Sequence, residues 1–99
     1  MTFYRSDKAG ETTLHIKGTL DALTAPGLRP ALDELVSEGC PRVVVDLSEL
    51  RLIDSSGVGA IVSLYKRIRA NGGAVVVTGL RDQPLAIFRL LRLDRVLAA

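Results

Sequence analysis

The chain has little of the chemistry from which catalytic and metal sites are usually built. Its 99 residues include one cysteine, Cys40, one histidine, His15, and no tryptophan. A lone cysteine cannot form a disulfide within the chain, and no group of cysteines and histidines has the spacing of a metal site. We therefore predict no bound metal and no other cofactor.

Long apolar runs are also missing. No stretch approaches the roughly 20 apolar residues that a membrane-spanning helix requires. The first residues, Met1 to Arg5, lack the pattern of a signal peptide. These two absences predict a cytoplasmic protein with no membrane-inserted segment.

Aromatic side chains are scarce, with two phenylalanines and two tyrosines, so no platform for base stacking is visible. Positive charge is concentrated late in the chain. Residues 1–60 contain six Lys/Arg and nine Asp/Glu, whereas residues 61–99 contain seven and two. Lys66, Arg67 and Arg69 fall at the predicted C-terminus of a helix, where cations offset the helix dipole. We therefore predict no direct contact with nucleic acid.

The residues that are present have the composition of an ordinary globular protein, 47% hydrophobic and 24% charged. This length is typical of one domain, so residues 1–99 are predicted to fold as a single unit. Alternation and helical spacing predict the order β-β-α-β-α-β-α, with a short final strand at 94–97. The fold class is therefore α/β: a mixed sheet of about four strands, starting with a hairpin, and three or more packing helices.

The predicted strands cover residues 3–5, 12–17, 43–47 and 74–78, with a turn at 6–10. Consecutive valines at 43–45 favour burial of the third strand on both faces. Right-handed crossovers would make the last three strands parallel, which places their outgoing loops at one end of the sheet. Asp21 and Thr24 should therefore lie at the same end as Ser55.

The helix ends carry their own signals. Thr24 and Asp82 stand where the N-caps of the first and third helices are predicted, with Pro26 and Pro84 in the first turns. Pro30 interrupts the first helix, because proline lacks an amide proton. We expect that helix either to bend there or to begin its regular part near Pro30.

The most informative stretch is Leu52-Ile53-Asp54-Ser55-Ser56-Gly57-Val58-Gly59, which leads from the third strand into the second helix. Ser55 or Ser56 is predicted to cap the first amides of that helix, whose positive end also tolerates a phosphate. Gly57 and Gly59 remove side-chain bulk, so a partner could approach closely. The alternative is a plain cap and a close helix–strand contact.

The outer side of the second helix, which includes Gly59, Ala60 and Ser63, is small and suits docking; an ordinary solvent face is the alternative. The stretch matches no common catalytic or nucleotide-binding pattern. A P-loop needs a lysine that is absent, the dinucleotide pattern needs glycine where Val62 stands, and a nucleophile elbow needs glycine where Ile53 or Asp54 stands. His15 lies on the polar face of its strand, which argues against a catalytic base. We predict that the protein is not an enzyme.

At this point the sequence resembles a known family. Asp54-Ser55-Ser56-Gly57-Val58-Gly59 after a valine-rich strand is similar to the signature of STAS domains (sulphate transporter and anti-sigma factor antagonist). Gly18-Thr19-Leu20-Asp21, followed by Thr24-Ala25-Pro26, resembles the entry of that family into its first helix, and Gly72-Gly73 is similar as well. The resemblance extends from about Thr12 to Leu97, and is greatest to the single-domain anti-sigma factor antagonists.

The resemblance implies a partner-switching cycle. The unphosphorylated antagonist binds an anti-sigma factor serine kinase with a histidine-kinase-like ATPase fold, which releases a sigma factor. The kinase phosphorylates the serine that corresponds to Ser55, the complex dissociates, and a PP2C-type phosphatase resets the antagonist. The partner-binding residues implied by the resemblance and the surface reasoning are Asp21, Thr24, Asp54, Ser55, Ser56, Gly57, Val58, Gly59 and Ser63.

Three further points stay open. Relatives usually continue into another C-terminal helix beyond Asp94-Arg95-Val96, and its absence from this sequence would expose apolar surface and favour self-association. STAS domains also serve as subunits that dock on ABC-transporter ATPases, which is the alternative function. An enzyme that uses Ser55 or Ser56 is a third hypothesis, and it would need a base near the serine.

Overall fold

A four-stranded sheet in the order β1-β2-β3-β4 is the framework of the computed structural model, which describes residues 1–97. Four helices complete the domain, and within the described residues none is long and apolar enough to cross a membrane. The elements are β1 (Thr2–Lys8), β2 (Glu11–Leu20), α1 (Ala25–Ser37), β3 (Arg42–Ile53), α2 (Ser55–Ala70), β4 (Ala74–Thr78), α3 (Asp82–Leu90) and α4 (Asp94–Leu97).

The strand pairing confirms the predicted mixed sheet. β1 and β2 are antiparallel, whereas β2, β3 and β4 are parallel. The predicted turn at 6–10 was too long, because β1 continues to Lys8 and only Ala9 and Gly10 connect the strands. Both turn residues have positive φ, 46° and 82°, as the favoured two-residue hairpin turn requires.

β3 extends beyond the predicted boundary at Leu47 and ends at Ile53. Its second half pairs with Lys17–Leu20 of β2, with one register shift before Lys17 and another between Gly18 and Thr19, and the last pair joins Leu20 to Ile53. Polar residues such as Glu49 and Arg51 break the apolar run, so hydrophobicity alone could not show that the strand continues. The extension brings the start of α2 directly beside the end of β2.

The helices cover only one face of the sheet. In β3, Val43 and Val45 are fully buried, but Val44 between them is only partly buried on the open face. The prediction that this strand is buried on both faces was therefore wrong. The strand order explains the difference: β2, β3 and β4 advance in one direction, so successive right-handed crossovers place their helices on the same side.

Thr24 occupies the N-cap position of α1, as predicted, but its side chain forms no capping hydrogen bond. Two other predictions at element ends were wrong. Asp82 is the first residue of α3 and not its cap. Residues 94–97 form the short helix α4, where a strand was predicted. α1 begins at Ala25 and continues through Pro30, so its regular part does not start at that proline.

Candidate partner-binding site

The start of α2 is organised by Asp54. Its backbone is extended, and its Oδ1 atom accepts a hydrogen bond from the Gly57 amide at 3.0 Å. The prediction that Ser55 or Ser56 caps the helix was wrong, because the helix begins at Ser55 and the carboxylate one residue earlier performs the capping. Both serine side chains are exposed in the first turn. Their hydroxyls are thus available to another molecule.

The same carboxylate connects two segments of the chain. The Oδ2 atom of Asp54 accepts a hydrogen bond from the Ala22 amide at 3.2 Å, and the Asp54 amide donates to the Leu20 carbonyl at 3.2 Å. The loop between β2 and α1 is therefore held against the first turn of α2. This arrangement confirms that Asp21 and Thr24 lie at the same end of the sheet as Ser55.

Asp21 and Thr24 give this loop its shape. The Asp21 carboxylate accepts hydrogen bonds from the Thr24 and Leu23 amides, each at 3.0 Å, and the Thr24 hydroxyl accepts one from the Asp21 amide at 2.9 Å. The bond from the Thr24 amide, followed by that from Leu23, holds the pKa of Asp21 below its usual value. The loop therefore presents a fixed negative charge beside α2.

Leu23 is a surface residue that sequence reasoning missed. Its side chain is 89% exposed at the tip of this loop. The sequence did contain a signal for this exposure. Leu23 stands among loop residues, outside any helical or strand pattern that would place its side chain in the core. It lies two residues before α1, in the loop that the Ala22 amide anchors to Asp54.

The two predicted glycine contacts have different roles. Gly57 is buried, and a Cβ atom there would lie 2.6 Å from the Leu20 carbonyl oxygen. Val58 is also buried, so these two residues position the helix and do not offer contact surface. Gly59 is exposed, and a Cβ atom there would meet nothing within 4 Å. The close helix–strand contact therefore applies at Gly57, and the open surface at Gly59.

A groove of about 510 Å³ runs between α1 and α2, next to the serine pair. On the α2 side it is lined by Ser56, Gly59 and Ser63, which share one face of the helix. Arg29 and Pro26 line the α1 side. The predicted small-residue surface is thus one wall of a groove.

The far end of this groove is framed by an ion pair, in which Arg67 donates to Asp33 at 2.7 Å. Both side chains are substantially exposed, so the pair contributes little to stability. It does connect α1 to α2 at that end. Ser56 lines the other end of the groove.

Gln83 supports the site from α3, and no sequence pattern pointed to it. Its side-chain Oε1 accepts a hydrogen bond from the Ile53 amide at 2.9 Å, and its Nε2 donates to the Ile53 carbonyl at 2.8 Å. Ile53 is the last residue of β3, whose backbone has no strand neighbour there on that side. The side-chain amide thus replaces a strand and fixes the residue before Asp54.

His15 does not serve the serine pair. One ring nitrogen hydrogen-bonds to Asp46 at 3.0 Å, the other contacts Ser6 Oγ at 3.3 Å, and the ring stacks on Tyr4 with centroids 4.3 Å apart. All four residues lie on the open face of the sheet, opposite the helices. The histidine is therefore not the base that a serine nucleophile in α2 would need. The site has the character of a binding surface.

The fold and this surface define a mixed α/β domain with an exposed serine pair at the start of α2. A sequence profile described as "Mlab, STAS domain" matches residues 4–98. The anti-sigma-B factor antagonist of Listeria monocytogenes is 32% identical over 85 residues, which cover 85% of this chain and 74% of that protein. These two matches are independent of the geometry described above.

Solved structures show the same fold. An anti-sigma factor antagonist from Mycobacterium paratuberculosis has a TM-score of 0.84 and 26% identity, and the match covers 97% of this chain and 81% of that one. The Bacillus cell fate determinant SpoIIAA in its phosphorylated form has a TM-score of 0.77 and 18% identity, with 95% and 86% covered. At that identity the likeness shows the fold alone.

The chain belongs to the STAS family, and the relatives that it resembles include anti-sigma factor antagonists. Those relatives are named for a regulatory role and not for a reaction.

Proposed function

We propose that this domain is an anti-sigma factor antagonist switched by phosphorylation of Ser55. In the unphosphorylated state it binds an anti-sigma factor serine kinase, which then releases its sigma factor. The observation that carries this proposal is the position of Ser55, exposed in the first turn of α2 while Asp54 satisfies the helix terminus. The hydroxyl is therefore free to accept a phosphoryl group without the loss of a structural hydrogen bond.

The surface that contacts the kinase is the loop–groove surface, defined as Leu23, Ser55, Ser56, Gly59 and Ser63. Its residues combine an exposed leucine with small side chains along a groove, so a partner can lie close to the α2 backbone. Asp21 and Asp54 hold this surface in shape through backbone hydrogen bonds. Gly57 and Val58 are buried beneath this surface, where they determine how closely α2 packs on the sheet.

Phosphorylation would act through charge. A phosphoserine carries roughly −1.5 to −2 charges at neutral pH. It would add to the carboxylates of Asp21 and Asp54 at the same end of the sheet, and a closely fitted partner surface would have to desolvate that charge. The N-terminus of α2 keeps the phosphate compatible with the fold. The modified form would therefore release the kinase without unfolding, and a PP2C-type phosphatase would restore binding.

The test is binding of the host's serine-kinase anti-sigma factors to wild type, Ser55→Asp, Ser55→Ala and the matched neighbour Ser56→Asp, measured by biolayer interferometry. Ser55→Asp is expected to weaken binding at least tenfold, whereas Ser55→Ala retains it. Mass spectrometry after incubation with kinase and Mg-ATP should find the phosphate on Ser55 and none in Ser55→Ala. Unchanged affinity of Ser55→Asp would refute the switch, and binding to a transporter ATPase by both forms would favour the alternative function.

A further inference from the structure

The groove between α1 and α2 continues well beyond the serine pair, and Arg29 of α1 lines it. On α2, Ser56 lines one end of the groove and Arg67 the other, which is a distance of roughly 16 Å at the helical rise. Between these ends the α2 wall consists of small residues, namely Gly59, Ala60 and Ser63. We call this feature the α1–α2 groove. Its small-residue wall leaves room for a side chain of another protein opposite Arg29.

Three charged side chains line the α1–α2 groove, and two of them are paired with each other. Arg67 donates to Asp33 at 2.7 Å. Arg29 is exposed, and the ion pairs formed within residues 1–97 do not include it. Asp33 lies one helical turn beyond Arg29, but its carboxylate is engaged by Arg67. Two arginines and one aspartate give the groove a net charge of +1, and the uncompensated charge is that of Arg29.

The direction of α1 brings this charge toward the serine pair. α1 and α2 follow parallel strands and begin at the same end of the sheet, where the Ala22 amide donates to Asp54. Side chains of an α-helix lean toward its N-terminus. Arg29 is the fifth residue of α1, so its side chain leans toward the end of the groove that Ser56 lines. The groove is therefore continuous with the loop–groove surface, and Arg29 lies along that continuation.

Charge and position identify the occupant. A kinase that reaches the Ser55 hydroxyl must cover the adjacent end of the α1–α2 groove, and complementary charge is what selects a partner there. We propose that the kinase inserts a carboxylate side chain into the α1–α2 groove, where it pairs with Arg29. This inference rests on the proposed function, because it assigns the groove to the protein that phosphorylates Ser55. Arg29 is then a specificity residue, which favours anti-sigma factors that carry an aspartate or glutamate at this position.

Arg29 and Ser55 have different parts in this contact. The arginine attracts the kinase before any phosphate is transferred, and its planar guanidinium can hold a carboxylate through two parallel hydrogen bonds. It does not touch the reacting hydroxyl, so its loss should weaken binding and leave the chemical step unchanged. Phosphorylation of Ser55 instead adds negative charge and releases the partner. A change at Arg29 should therefore alter KM for the kinase reaction and not kcat.

The test uses the kinase that phosphorylates Ser55, with wild type, Arg29→Glu, Arg29→Lys and the matched control Lys8→Glu. Arg29→Glu should weaken binding and raise KM by about tenfold or more, with kcat unchanged. Arg29→Lys should retain most of the affinity, because the charge remains. Lys8→Glu makes the same change in net charge at the β1–β2 turn and should leave binding unaltered. Arg29 and Lys8 are both exposed, and equal urea midpoints would verify that the variants keep the fold.

Charge reversal on the kinase completes the test. One of its aspartates or glutamates, changed to lysine, should restore binding to Arg29→Glu and weaken binding to wild type. Unchanged affinity of Arg29→Glu, with Ser55 still phosphorylated, would overturn this inference and leave the proposed function standing. Failure of every serine-kinase anti-sigma factor of the host to bind wild type would overturn both. Dimerisation of the protein alone in sedimentation, abolished by Arg29→Glu, would assign the groove to a second copy instead.

Discussion

Substitution of Gly57 by alanine tests most directly how α2 is held on the sheet. In Gly57→Ala the new Cβ atom would lie 2.6 Å from the Leu20 carbonyl oxygen and 2.7 Å from Ile53 Cγ1. The carbonyl cannot move away easily, because it accepts the hydrogen bond from the Asp54 amide at 3.2 Å. The helix would have to lift from the sheet, and its first turn carries the serine pair.

The magnitude follows from two opposing terms. Overpacking of this kind costs about 1–3 kcal/mol, whereas exchange of glycine for alanine within a helix gains about 0.5–1 kcal/mol. Gly57→Ala is therefore expected to lower the free energy of unfolding. In Gly59→Ala the new Cβ atom would meet nothing within 4 Å, so only the favourable helix term remains. This variant should therefore raise the free energy of unfolding. For a domain of this size, each kcal/mol moves Tm by roughly 4–8 °C.

The assay is thermal and urea unfolding of wild type and both alanine variants, followed by circular dichroism. The two variants should shift in opposite directions, although the same chemical change was made two residues apart in one helix. Shifts of the same sign and size would refute the reasoning, because intrinsic propensity would then dominate and the contact with Leu20 would be unimportant. Kinase binding by Gly59→Ala would additionally report whether the groove tolerates a methyl group.

Three further predictions concern the supports of the site. Asp54→Ala should lower the free energy of unfolding by about 0.5–2 kcal/mol through loss of the cap. Ser55→Ala should change it by less than about 0.5 kcal/mol. Equal urea midpoints for these two variants would contradict the assignment of the cap to Asp54. Gln83→Ala should lower the free energy of unfolding by about 1–3 kcal/mol, because it leaves the backbone of Ile53 unpaired. Gln83→Glu should not restore this stability, because a carboxylate cannot donate to the Ile53 carbonyl. Hydrogen exchange at the Ile53 amide measures the loss of the bridge, and unchanged protection would argue against it. Asp21 has a folded-state pKa below its unfolded value near 3.9. The stability that it contributes is therefore present above that pH and is lost as pH falls through the lower folded value. In urea unfolding between pH 2 and 6, the free energy of unfolding should fall less steeply with acid in Asp21→Asn than in wild type, and an identical dependence on pH would exclude this contribution.

The parts of the fold that the sequence predicted are those with a clear period. Alternation in β2, helical spacing in α2 and the glycine turn before β4 were sufficient to place these elements in order. Chain connectivity then required parallel neighbours with their exits at one end, and the contact between Ala22 and Asp54 agrees with that expectation.

The features that escaped prediction depend on contacts between distant residues. The continuation of β3 to Ile53 requires the end of β2 as its partner, and the amide of Gln83 completes the backbone bonding from a third segment. The cap of α2 was assigned to a serine because aspartate and serine have similar capping preference, and only the dihedral angles of Asp54 distinguish them. Such choices are decided by geometry that a local pattern does not contain.

The one-sided arrangement of helices also determines where binding surfaces can form. Because the parallel strands advance in one direction, right-handed crossovers place α1 and α2 on the same face, and α2 also lines a cleft with Leu93 and Val96 on its other side. A helix in that position has one stripe in the core and one stripe toward each neighbour. Its N-terminal turn presents the serine pair beside the first groove, and its C-terminal half forms the second cleft. A single helix thus carries both surfaces, while the core stripe keeps their separation constant.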